Sequence, residues 1–186
     1  MFEKRSFEVR ADSEKSIITG RPIVFNSRTD LGDCDEIIEA GSLDKANLSD
    51  VRFLINHDLN KIPLARARAG DENSTMKISV DKDGMAISVE LDTENNSEAR
   101  ALYSAVKRGD ISGMSFMFSI DDEEWENRES SHPTRHIKSI GEAVEVSAVS
   151  FPAYEDTEIT ARGRNSFDDA KAKALELLKA KYLYKI

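Results

Sequence analysis

Along the first two thirds of the chain, apolar side chains come in short bursts separated by turn-forming residues. The clearest case is residues 76–91, where Met76, Ile78 and Val80, then Met85, Ile87, Val89 and Leu91, alternate with polar positions. A period of two lines one face of a sheet. The intervening Asp81-Lys82-Asp83-Gly84 predicts a hairpin turn, with glycine where positive φ is needed. Further strands are expected at residues 6–9, at 17–18 leading through Gly20 into 23–25, and at 36–39, 51–55, 114–120, 136–140 and 143–150. Arg21-Pro22 places the segment that follows it at a sheet edge or just after a turn. Residues 26–34 read as a loop, 43–48 as one short helical turn, and the acidic run 121–126 as a turn or strand rim.

Two stretches carry helical spacing instead. Ala99, Leu102, Tyr103 and Val106 recur at intervals of three and four, Ser97 is placed to cap them, and Lys107, Arg108 and Gly109 suit the far end. Beyond a polar joint at 161–165, Ser166 and Asp169 form a capping box. A helix is expected from there to about Tyr184, with Phe167, Ala170, Ala174, Leu177 and Leu178 on its apolar stripe. The fold class that follows is α+β: a mostly antiparallel, barrel-like sheet with a few flanking helices. One domain spans residues 1–160, with the joint and terminal helix at 161–186.

Composition narrows the functions open to such a domain. The 186 residues carry 35 acidic and 26 basic side chains, a formal charge of -9. That balance argues against a surface built for a nucleic-acid backbone, leaving Arg66 and Arg68 with Lys107 and Arg108 as the only short basic candidates. A single cysteine, Cys34, excludes an internal disulfide and any cysteine-based metal site. The opening MFEKRSFEVRADSEKS holds no signal-peptide core, and no apolar run reaches bilayer-spanning length, so a cytoplasmic setting is expected.

Three residues can carry chemistry together. His57 follows the apolar 51–55 strand and is flanked by Asn56 and Asp58, where an imidazole can emerge from a core as a proton shuttle. Ser115 lies in Gly113-Met114-Ser115-Phe116-Met117-Phe118, sharing a strand face with Gly113 and Met117, which leaves room for a substrate backbone. Glu145 interrupts the apolar strand 143–149, where a carboxylate needs a partner or an exit to water. Each also has an ordinary reading: a surface histidine, a plain strand serine, a solvent-facing glutamate or one paired with Arg135 or Lys138. His132 and His136 have the i, i+4 spacing of a zinc helix, but Pro133 between them favours a loop and no metal is expected. The stretch 109–113 lacks the lysine and spacing of a phosphate loop.

Three segments, Leu54-Ile55-Asn56-His57-Asp58, residues 109–116 and residues 144–153, resemble in order the signature blocks of the tailed-phage prohead maturation proteases. Residues 18–26 and 39–43 are similar to that family's first strand and to the turn before its next helix. The resemblance implies a serine endopeptidase with Ser115 as nucleophile, His57 as base and Glu145 as third member, needing no cofactor. It implies a fold shared with herpesvirus assemblins, and substrates among the major capsid protein, the scaffold protein or its extension, and the enzyme itself. Work inside an assembling procapsid in the host-cell cytoplasm follows, with a homodimer or higher homo-oligomer by analogy with assemblins. By the same analogy, oxyanion donors are expected at 153–155. Met117 stands where relatives often have glycine, and Glu142 is a second acid on the opposite strand face. The competing reading is a catalytically inactive capsid-assembly or scaffolding module.

Overall fold

Alternating apolar residues build two sheets around one core. The computed structural model describes residues 10–12 and 16–152, so the strand expected at 6–9, the joint and the terminal helix lie outside the described residues. Strands β1 (Arg10–Asp12), β2 (Ile17–Val24), β7 (Met76–Asp81) and β8 (Gly84–Glu90) form an antiparallel sheet in the order β1-β2-β8-β7. A six-stranded sheet contains β3 (Arg28–Asp30), β4 (Asp35–Ile38), β5 (Asp50–Ile55), β6 (Ala65–Arg68), β9 (Gly113–Glu126) and β10 (Thr134–Val149). The hairpin expected between residues 76 and 91 forms with Asp81 opposite Gly84.

β10 organises the second sheet. It pairs antiparallel with β9 along its length. On its other edge it runs parallel to β4 through residues 134–137 and parallel to β5 through residues 145–148. The fold is therefore α+β and mostly antiparallel, with these two parallel pairings as exceptions. Neither strand order returns on itself. The sheets do approach at two seams. At one, Arg66 and Arg68 of β6 donate backbone N–H groups to Thr75 Oγ1 (3.0 Å) and Ser74 Oγ (2.9 Å), just before β7. At the other, β2 meets β9: a Cβ added at Gly20 would lie 2.2 Å from Met114 Sδ.

The core draws on both sheets: Ile18, Ile23, Met85 and Val89 meet Val51, Phe53, Ile137, Ile140 and Val146, all at most 1% exposed. Helix α1 (Ser97–Arg108) closes it with Ala99, Leu102 and Val106. Asn96, rather than Ser97, caps α1, its side chain accepting from the N–H groups of Glu98 and Ala99. Gly109 ends the helix as expected, in a left-handed conformation. It is the only helix among the described residues, so the few flanking helices expected reduce there to one. Residues 43–48 make successive tight turns and a bridge from Asn47 to Glu142 instead of a helical turn.

Other expectations change for physical reasons. Of the two readings of the acidic run 121–126, turn or strand rim, the strand holds: the run continues β9, because β10 presents Arg135 and Lys138 opposite it. Arg135 binds Glu123, Lys138 lies 3.3 Å from Glu124, and His136 lies 3.4 Å from Glu126. Opposite charges across a ladder stabilise an arm that would repel itself alone, and the Arg135 guanidinium also covers Trp125. Residues 136–140 and 143–150 fuse into one strand, the expected break being absorbed by register shifts between Ile137 and Glu145. Gly141 belongs to that irregularity, since a Cβ there would meet Asp121 Oδ1 at 2.3 Å. Short strand β3 forms inside the expected loop, and β6 was not anticipated, its Arg-rich sequence being too brief to show a pattern.

Candidate functional site

The β9–β10 register decides which side chains share a surface. Ser147 is opposite Ser115, and Glu145 is opposite Met117. Directly opposed residues project to one face, so Ser115, Met117, Glu145 and Ser147 emerge together. Met114, Phe116, Val146 and Ala148 point the other way, into the core. On the far side of β10, Leu54 of β5 is in register with Ser147 and Arg52 with Glu145. Just past β5 the chain reverses at Asn56 and His57, which brings the imidazole back over this face.

That reversal is held tightly. Asn56 and His57 both lie in the left-handed region, at φ 50° and 57°, a costly conformation for residues with a Cβ. Asn56 N–H donates to Ala148 O (3.0 Å), and Asn56 Oδ1 accepts from Ser150 N–H (2.9 Å). His57 N–H donates to Ser147 Oγ (3.0 Å). Three bonds to the end of β10 and the residue after it thus fix where the histidine starts.

Glu145 is fully buried, and a buried carboxylate persists only with partners. Its Oε1 lies 2.5 Å from His57 Nδ1, and its Oε2 accepts from Ser147 Oγ at 2.6 Å. The ordinary alternatives are gone: Arg135 is taken by Glu123 and Glu36, and Lys138 by Glu39 and Glu124. Arg52, the in-register neighbour, turns to Asp50. The carboxylate therefore faces an imidazole whose Nδ1 carries hydrogen, leaving Nε2 as the nitrogen able to take a proton.

Of the three residues singled out in the sequence, the structure joins His57 and Glu145 by a hydrogen bond. It sets Ser115 on the same sheet face, one strand from Ser147. Ser115 is buried, and its Oγ makes no hydrogen bond to a described residue. The hydroxyl that the sequence reading passed over is Ser147. Its signal was available, since two residues past Glu145 on a strand is the same face. Residues 153–155 lie outside the described residues. Glu142, the second acid, is turned away and exposed, accepting from Asn47 Nδ2 at 3.3 Å.

His132 and His136 do not share a helical face. His136 sits within β10 between Glu39 and Glu126, while His132 precedes that strand beside Asp35 and Asp30. The Asp30, Asp35 and His132 cluster is at the surface, and Arg28 Nη1 already binds Asp35 at 2.8 Å. Three of the four basic candidates are likewise engaged: Arg66 binds Asp50, Arg68 lies 3.4 Å from Asp71, and Arg108 binds Asp110.

A family model described as Caudovirus prohead serine protease matches residues 4–172. The chain is also similar to a protein named "Prohead protease" from Enterobacteria phage HK97. The two are 27% identical over 164 residues, which cover 86% of this chain and 66% of that protein. The chain thus spans just under two thirds of that relative's length. No solved structure matches.

Proposed function

The chain belongs to the Caudovirus prohead serine protease family, and from that premise we propose that it is a serine endopeptidase with Ser115 as nucleophile, His57 as base and Glu145 as orienting carboxylate. The observation that carries this reading is the 2.5 Å contact between His57 Nδ1 and the fully buried Glu145. A buried acid on one imidazole nitrogen fixes the tautomer and stabilises the cation formed when the other nitrogen accepts a proton. Ser115, the cross-strand partner of Ser147 on the same face, supplies that proton in this reading.

In this mechanism Nε2 takes the Ser115 proton as Oγ attacks the scissile carbonyl. It then returns the proton to the departing amine, leaving an acyl-enzyme. Water, deprotonated by the same nitrogen, attacks the ester; as the bond to Ser115 Oγ breaks, Nε2 returns the proton to that oxygen and the second product leaves as the acid. Backbone N–H donors for the oxyanion are required as well; residues 153–155 are the proposed source.

The substrates in this reading are scaffold and capsid-protein extensions and the enzyme itself, cleaved inside the procapsid in the host-cell cytoplasm by a homodimer or larger homo-oligomer. The protease domain of this proposal is residues 1–160. A barrel-like, assemblin-like shape belongs to the same proposal and draws support from the β2–β9 and β6–β7 seams.

The test is mass mapping of products after co-expression with the neighbouring capsid and scaffold proteins, beside labelling by a serine-directed phosphonate. Wild type should process its partners and be labelled on Ser115, and Ser115→Ala should do neither. Processing that persists in Ser115→Ala would overturn the proposal, and an unlabelled, inert wild type would favour an assembly module.

A further inference from the structure

Ser147 is fully buried, so it cannot meet a substrate, yet its hydroxyl touches both partners of the acid–base pair. We infer that Ser147 is a positioning residue that couples Glu145 to His57 through a single oxygen. This inference rests on the roles proposed above for those two residues.

The direction of each bond is forced. A backbone N–H only donates, so Ser147 Oγ accepts from His57 N–H at 3.0 Å. A carboxylate only accepts, so the Ser147 proton goes to Glu145 Oε2 at 2.6 Å. The hydroxyl thereby uses its donor and one of its lone pairs on the two groups whose relative placement sets the proton shuttle. With Oε1 on the imidazole and Oε2 on Ser147, neither carboxylate oxygen is idle, and rotation of the Glu145 head breaks a bond either way.

The backbone shows why a tether is needed. His57 sits at φ 57°, following Asn56 at φ 50°, and strained backbone of this kind persists only where its surroundings hold it. The His57 N–H to Ser147 bond is the one such contact that comes from the side chain of the sheet face bearing the acid. Ser115 is the cross-strand partner of Ser147, so the same position also spaces the nucleophile from the base. Deleting the hydroxyl leaves His57 N–H and Glu145 Oε2 each without a partner, and the imidazole loses its fixed approach.

Small misplacements of a reacting group cost up to about 100-fold in rate. Ser147→Ala should therefore lower kcat by roughly 10- to 100-fold with little change in KM. It should also displace the low-pH limb of its kcat/KM profile, which reports the base. Ser147→Thr, which keeps a hydroxyl, should recover most of the loss. An activity-independent readout is the downfield proton resonance of His57 Nδ1–H, recorded in a Ser115→Ala background. Adding Ser147→Ala should shift or broaden it. An unchanged resonance, or a lowered unfolding midpoint with the pH limb and kcat in place, overturns the inference. If Ser115→Ala and His57→Ala cleave like wild type, the proposed chemistry fails instead, and the resonance still decides whether Ser147 holds the pair.

Discussion

Ser115 on β9 and Ser147 on β10 are direct cross-strand partners, and the two hydroxyls meet opposite fates. Ser147 is committed to Glu145 and to the His57 backbone, whereas Ser115 Oγ has no hydrogen bond to a described residue. Opposed residues on antiparallel strands have Cβ atoms about 4.5–5.5 Å apart. Sheet geometry thus spaces Ser115, the proposed nucleophile, from the Ser147 hydroxyl on which the His57 backbone rests. The sheet, not a loop, sets the separation, and strands hold such spacings more rigidly than loops do.

Substitutions at the pair should separate orientation from proton transfer. His57→Ala removes the group proposed to accept the proton, and turnover should fall on the order of 10⁵- to 10⁶-fold. Glu145→Gln leaves the imidazole in place but permits the wrong tautomer, so the loss should be roughly 10²- to 10⁴-fold. Single-turnover cleavage of a capsid-extension peptide measures both. Equal losses would mean that the carboxylate does more than orient, and no loss at Glu145 would remove it from the mechanism.

His57, Ser115 and Glu145 each break a local pattern (an imidazole ending an apolar strand, a small hydroxyl among large side chains, a charge among valines). Each also has an ordinary reading, and it is the ordered resemblance of three segments to a known family that joins them into one set. The 76–91 hairpin was legible on its own, its period and turn being local. The parallel partners of β10 were not. They lie far away in the chain, and nothing near residue 134 or 145 encodes β4 or β5. The acidic arm of β9 was only half legible, as a turn or a strand rim, because its stability depends on cations of a different strand. At the helix start, Asn96 and Ser97 are both good caps, and only the backbone separates them. Asn96→Ala should therefore cost about 0.5–2 kcal/mol in denaturant unfolding, with Ser97→Ala near neutral.

Arg21 and Asp81 tie β2 to the end of β7 by two hydrogen bonds, at 2.7 and 2.6 Å. The Arg21 guanidinium, helped by backbone N–H groups of the turn, holds the Asp81 carboxyl down at about 2, against an ordinary 3.8. A carboxyl depressed in the folded state stabilises fully above its unfolded value. That stabilisation fades as pH falls below 3.8 and is lost through about 2. Asp81→Asn should accordingly narrow the difference in urea midpoint between pH 6 and pH 2.5. High salt should weaken the effect, the pair being partly exposed. Identical acid limbs in wild type and variant would refute it.

Gly84 opens β8 at φ 136°, and a Cβ there would lie 2.0 Å from the backbone oxygen of Ile23. The obstacle is main chain in the neighbouring strand, which cannot rotate aside. Gly84→Ala should destabilise by about 2–4 kcal/mol. Gly70 provides the control: its φ is 76°, but nothing lies within 4 Å of the added atom. Gly70→Ala should cost only the conformational penalty, about 1 kcal/mol. Thermal or denaturant midpoints of the two variants read the difference directly.

Asn56 carries two separable loads, a left-handed backbone and a side-chain acceptor for Ser150 N–H at 2.9 Å. Three substitutions divide them. Asn56→Asp keeps an acceptor of the same shape and a residue type that tolerates the left-handed region, so stability and turnover should stay near wild type. Asn56→Gly relieves the backbone cost but abandons Ser150, and a small net change in stability should accompany a clear fall in kcat. Asn56→Ala loses on both counts, by about 1–3 kcal/mol, and should be the slowest of the three. The order Asp, Gly, Ala in kcat, measured with midpoints at one pH, would establish that the reversal before His57 serves to aim the imidazole. A kcat that merely tracked the midpoints would show that Asn56 matters for folding alone.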